Sequence, residues 1–167
     1  MSGADVSFVH LGISIPHMVK SFSIGGISFA YYGLIIGIGM ILGLCVAQSD
    51  AKRRGQNPDI YLDFALYGII FSIIGARIYY VFFQWAYYKD HLMEIVNLRK
   101  GGLAIYGGVI AGILTLLVFT KKRHLSFLSM ADSACLGLVT GQMIGRWGNF
   151  VNCEAFGGFT DNLLAMR

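Results

Sequence analysis

Apolar residues collect in four long runs, each apolar nearly all round instead of carrying the single stripe of a soluble helix. The runs cover residues 27–48, 61–83, 103–120 and 127–144. Each comes close to the roughly 20 residues that an α-helix needs to cross a bilayer core. Polar residues gather between them. Lys52, Arg53 and Arg54 follow the first run, and Lys121, Lys122 and Arg123 follow the third. The segment between the second and third runs is longer and mixed in sign, with Lys89, Asp90, Glu94, Arg99 and Lys100. Lys and Arg are enriched in cytoplasmic loops, so the two compact basic loops are read as cytoplasmic. The N-terminus, residues 84–101 and residues 145–158 are then outside. The pattern predicts an all-α polytopic membrane helix bundle, a single integral membrane domain over residues 1–167. Gln56, Asn57, Pro58 and Asp59 read as a turn in which Asp59 caps the second span, because Asp accepts from the free amides of a helix start and Pro disfavours helix before it.

Composition sharpens this picture. Hydrophobic residues make up 56% of the chain and charged residues 13%, whereas a soluble domain carries about a quarter charged residues. The formal charge of +4 is accounted for by the loops that set orientation, so no nucleic-acid partner is inferred. The first 24 residues lack the charged, apolar and small-residue order of a cleavable signal, which leaves targeting to the first span. Cys45, Cys135 and Cys153 form no CxxC pair, and His10, His17, His91 and His124 have no ligand spacing. Neither a metal nor a cofactor is expected. The 22 glycines include helical-face repeats at 33/37, 39/43, 108/112 and 137/141/145, which predict closely approaching helices.

The chemistry-bearing groups gather near the outer helix ends. Arg77 lies about 16 residues, roughly 24 Å of rise, into the second span. It either snorkels to the outer interface or faces a polar cavity and pairs with an anion. Arg146 follows the fourth span at the same expected level. Two arginines converging there would bind a phosphate in a bidentate manner, and an anionic lipid headgroup is the natural ligand at that depth. Independent interfacial anchoring is the plain alternative. Asn149, Asn152 and Glu154 continue from Arg146 in a glycine-punctuated segment. If it is helical, Arg146 and Asn149 share a face, as do Asn149 and Asn152. If it is re-entrant, the side chains satisfy its backbone. Glu154 could orient an arginine or act as a base. Tyr106 stands between Gly101-Gly102 and Gly107-Gly108, a bracket that would let a substrate approach the backbone, while Tyr32 fits an aromatic belt.

The stretch Gly145-Arg146-Trp147-Gly148-Asn149-Phe150-Val151-Asn152, continuing to Glu154 and Gly157, resembles the signature of the bacterial prolipoprotein diacylglyceryl transferases. Residues 101–108 (GGLAIYGG), Gly75-Ala76-Arg77-Ile78-Tyr79-Tyr80 and Tyr32-Gly33 are similar to further motifs of that family, in the expected order. The resemblance implies seven spans in the bacterial inner membrane with an outward-facing site. It implies transfer of a diacylglyceryl group from phosphatidylglycerol to the lipobox cysteine of a preprolipoprotein. On this chain it implies that Arg146 binds the phospholipid, with Arg77, Tyr32, Asn152 and Gly157 around the substrates and Tyr106, Glu154 and Asn149 as catalytic candidates. Tyr106 stands where other members have a histidine. About four of the seven spans are present, so the chain is read as the N-terminal part of a longer transferase. The competing readings are a small transporter component, whose polar path would lie at mid-membrane, and a non-enzymatic lipid-binding membrane protein.

Overall fold

The computed structural model describes residues 4–18, 20–24, 27–98, 101–154, 157–163 and 165. Among the described residues four helices are long and apolar enough to cross a membrane: α1 (Tyr31–Arg53), α2 (Asp59–Phe83), α4 (Ile105–Lys122) and α5 (Phe127–Asn152). A one-turn helix α3 (Trp85–Tyr88) and a 3-10 turn (Leu92–Val96) follow α2. The chain is thus an all-α, multi-pass membrane protein. It divides into two compact units, residues 1–46 with 136–167, and residues 47–135.

Two small antiparallel hairpins precede the helices, and the expectation of a first span starting at residue 27 missed them. Strand β1 (Ala4–Phe8) pairs with β2 (Ile13–Met18), and β3 (Ser21–Ile24) pairs with β4 (Ile27–Ala30). Residues 21–24 and 27–30 each alternate small or polar with apolar positions, a period of two that suits a strand. Phe22 opposes Phe29, their ring centroids 5.6 Å apart. Pairing therefore takes residues 27–30, and α1 begins at Tyr31. At its other end α1 continues past the expected residue 48 to Arg53, where Gly55 takes φ +71° and the Gln56 amide reaches back to the Ala51 carbonyl at 2.9 Å. This is the glycine-ended Schellman closure.

In the unit of residues 47–135, α2 and α4 pack through small residues. A Cβ at Gly75 would lie 2.8 Å from the Gly107 carbonyl oxygen, and one at Gly112 would lie 3.1 Å from Ser72 Oγ. Close backbone approach of this kind is how membrane helices gain contact without a hydrophobic driving force. The basic end of the unit is tied by side chains. Arg54 pairs with Asp50 at 2.7 Å and with Asp132 at 3.1 Å, while the fully buried Ser133 donates to Asp50 at 2.8 Å. The hydrogen bond to Asp132 and then the charge of Asp50 raise the Arg54 pKa above its ordinary value. Arg123 pairs with Asp63 at 3.0 Å, and Tyr61 donates to Gln56, which bonds Ser129. Asp59 does not cap α2: it is the first helical residue, and its own amide is accepted by Asn57 Oδ1 at 3.0 Å.

In the other unit, α1 and α5 run antiparallel along a glycine seam. A Cβ at Gly39 would stand 3.2 Å from the Gly141 carbonyl oxygen, and one at Gly148 would stand 2.9 Å from the Tyr32 ring. Gly43 faces Gly137 in the same way. The 33/37 repeat and Gly145 were expected to serve packing too, but a Cβ at any of them would meet nothing within 4 Å among the described residues.

Candidate functional site

Helix α5 does not stop where its apolar run ends. It continues through the signature to Asn152, so the helical alternative for this stretch is the one the backbone adopts. Its last turns therefore carry Arg146, Asn149 and Asn152 at successive three-residue steps along one face. Gln142, one turn earlier, belongs to the same strip; its spacing from Arg146 was the signal for it, and the sequence reading passed over it. The neighbouring Gly148 is buried beneath the Tyr32 ring, so Tyr32 supports the signature helix directly.

The helix ends in a second Schellman closure. The Glu154 amide donates to the Asn149 carbonyl at 3.0 Å and the Cys153 amide to that of Phe150 at 3.1 Å. Cys153 takes φ +53°, the left-handed position that glycine usually fills. Just past it, Asn152 Nδ2 donates to Glu154 Oε1 at 3.1 Å. The carboxylate is thus oriented beside the helix end. Arg146 is exposed, and its guanidinium makes no hydrogen bond or ion pair among the described residues. Gly157 is exposed as well, with open space around a Cβ built there.

Arg77 is arranged in the opposite way. It is 6% exposed, and all its N–H groups point at backbone carbonyls. Nε donates to Ile95 at 2.8 Å, Nη1 to Gly101 and Gly102 at 2.8 Å each, and Nη2 to Glu94 at 2.7 Å and Asn97 at 3.4 Å. A guanidinium has five such donors, so none remains for a phosphate. Tyr88 and Tyr80 cover its faces at 5.2 and 5.9 Å. Neither outward snorkelling nor direct anion pairing describes this side chain.

The glycine bracket around Tyr106 also has a structural origin. Gly101 and Gly102 take φ of +80° and +82°, which other residues rarely adopt. Gly107, on the far side, is buried against Gly75 and Tyr79 of α2. Tyr106 itself, the second residue of α4, is 71% exposed, with its ring 6.5 Å from that of Tyr79. Arg77 and Tyr106 belong to one compact unit, and Tyr32, Arg146, Asn149, Asn152, Glu154 and Gly157 belong to the other. Among the described residues no cluster of His, Cys, Asp and Glu could hold a metal ion. A cavity of about 520 Å³ runs along α2 and α4 between Tyr67, Phe71, Leu114 and Phe119; no candidate residue lines it.

Comparison with known proteins identifies the family. A sequence model of the family described as prolipoprotein diacylglyceryl transferase matches residues 20–167. The chain is similar to proteins named phosphatidylglycerol–prolipoprotein diacylglyceryl transferase. That of Bacillus velezensis is 48% identical over 137 residues, 82% of this chain and 51% of the relative. That of Clostridioides difficile is 48% identical over 141 residues, covering 84% and 57%, and that of Finegoldia magna 47% over 137 residues, covering 82% and 55%. The chain spans about half the length of these relatives. With a family match over residues 20–167, most of its length, the chain belongs to the prolipoprotein diacylglyceryl transferase family.

Proposed function

We propose that this chain forms part of a transferase that moves the diacylglyceryl group of phosphatidylglycerol onto the lipobox cysteine of a preprolipoprotein, the first step of bacterial lipoprotein maturation. It works as one integral domain of the bacterial inner membrane, with surrounding lipids as its solvent and its site facing outward. The observation that carries the reading is the signature on α5: Arg146, Asn149 and Asn152 in successive turns, with the Arg146 guanidinium unengaged among the described residues. An unengaged arginine beside a membrane helix end suits a phosphate, which its planar fork can hold through two parallel hydrogen bonds.

In this reading the cysteine sulfur forms a bond to the glyceryl carbon while that carbon's bond to the phosphate oxygen breaks. The leaving glycerol phosphate takes the electron pair, and the thiol proton passes to a base. The protein's task is to position two substrates and stabilise the charge growing on phosphate. Arg146 is assigned that charge, with Asn149 beside it and Tyr32 bracing the helix through Gly148. Glu154, held by Asn152, is assigned the thiol proton, whose donor has an ordinary pKa of about 8.5. Tyr106, whose phenol is exposed, is assigned to the catalytic step, and Gly157 to substrate binding.

The test is transfer of radiolabelled diacylglycerol from phosphatidylglycerol vesicles to a lipobox peptide, by this chain and by a version extended to the length of its relatives. Transfer by either form supports the reading. Absence of transfer from both, when each is folded in detergent, overturns it.

A further inference from the structure

We infer that Arg77 is a positioning residue. It holds the connection between α2 and α4 in one shape, and so sets the start of α4 and Tyr106, without touching either substrate. The inference rests on the transferase reading for its catalytic consequence; the geometry of the latch stands apart from it.

The argument begins with what a buried cation requires. An ionised side chain removed from water is costly unless hydrogen bonds and opposing dipoles replace the lost solvent. Arg77 obtains them from five backbone carbonyls and two tyrosine rings. The acceptors come from two places: Glu94, Ile95 and Asn97 around the 3-10 turn, and Gly101 and Gly102 just before α4. One planar group thus gathers both halves of a connection whose described residues form no long helix or strand.

The two glycines are fitted to the latch. Their positive φ turns consecutive carbonyls onto the same nitrogen, Nη1, and a Cβ at Gly102 would stand 2.5 Å from that nitrogen and 2.7 Å from the Tyr80 ring. Immediately afterwards the Ala104 amide donates to the Ala76 carbonyl at 3.1 Å, one residue from Arg77. The start of α4 is therefore pinned to α2 beside the latch, and Tyr106 follows two residues later. A lysine would keep the charge, yet its three donors on a flexible stem cannot serve five carbonyls spread over a plane.

The experiment compares Arg77→Lys and Arg77→Gln with the unaltered protein. It uses whichever form transfers lipid, or the 167-residue chain if neither does. Transfer kinetics are read beside hydrogen–deuterium exchange of peptides covering residues 92–104. Both variants are expected to lower kcat/KM by a similar factor, on the order of 10²-fold, the scale of loss that follows a displacement of about 1 Å near a site. Both are expected to speed exchange at residues 92–104 at least tenfold, with little change elsewhere. Full activity with Arg77→Lys overturns the inference, because charge alone would then suffice. So does a loss of activity in Arg77→Gln with exchange at residues 92–104 unchanged, which would point to direct contact with a substrate. If the arginine variants fail to fold, Gly102→Ala disturbs the same acceptors and should reproduce the local exchange; unchanged exchange there also overturns the inference. If the unaltered protein transfers nothing but exchange rises as expected, the latch holds and the transferase reading falls.

Discussion

Arg77 and Arg146 look alike in the sequence, each near one end of an apolar span, and the folded chain treats them in opposite ways. Arg77 is buried with every donor engaged by a carbonyl, whereas Arg146 is exposed and has no partner among the described residues. The difference teaches how to separate a structural cation from a binding one. A guanidinium that organises backbone has its hydrogen-bonding capacity filled before any ligand arrives. A guanidinium kept for a ligand stands open, on an element rigid enough to aim it. In the proposed reading that element is a helix closed by a Schellman motif and packed on Tyr32.

The sharpest test of the contrast is substitution of Arg146. Arg146→Ala is expected to lower lipid transfer by about 10²–10³-fold, the range seen when a donor to developing charge is removed, with the helical circular dichroism signal unchanged. Arg146→Lys, which keeps the charge and loses the fork, should lose only roughly tenfold. A lysine that rescues at position 77 and fails at 146 would reverse the assignment of the two residues. Next in size is Gly107→Val, on the side of Arg77. Its side chain would press on Gly75 and Tyr79, and overpacking should cost about 2–3 kcal/mol in a chemical unfolding titration in detergent. An unshifted midpoint would mean that the α2–α4 contact is looser than described. Ser133→Ala touches neither arginine and removes a donor from Asp50, for an expected loss of about 1–2 kcal/mol with transfer per folded molecule unaltered. A fall in specific activity there would show that the basic end of the protein communicates with the site. The smallest effect is of opposite sign. Cys153→Gly relieves a left-handed residue at the end of the signature helix, so stability should rise by under about 1 kcal/mol, the relief being partly offset by glycine's greater chain entropy. A loss of stability would mean that the thiol makes contacts worth more than the strain.

Much of the fold was legible because a bilayer leaves few choices. The four spans were located from apolar runs alone, and their errors lie at the ends. Residues 27–30 read as span because isoleucine, phenylalanine and alanine suit either structure, and only the pairing of Phe29 with Phe22 decides for a strand. Residues 145–152 read as open between helix and re-entrant turn because the two glycines and two asparagines there weaken propensity without forbidding helix. Packing on α1 at Gly148 accompanies the helical outcome.

For the candidate site, residue types and spacing drew attention to Arg146, Asn149, Asn152 and Glu154 as a polar strip at helical intervals after an apolar span, with capping of the helix end and interfacial anchoring as the structural alternatives. The role of Arg77 could not be read in this way. Its acceptors are carbonyls, which every residue carries, so nothing in the side-chain sequence marks Glu94, Ile95 or Asn97 as its partners. Gly101 and Gly102 were noticed, but as an opening for a substrate instead of a turn built around a guanidinium. Sequence by itself determined which segments enter the membrane and which polar groups stand at their ends, because hydrophobicity and helical period are local properties. Only the tertiary structure decided which arginine is occupied and which is open, because hydrogen bonds to backbone depend on where distant carbonyls come to rest.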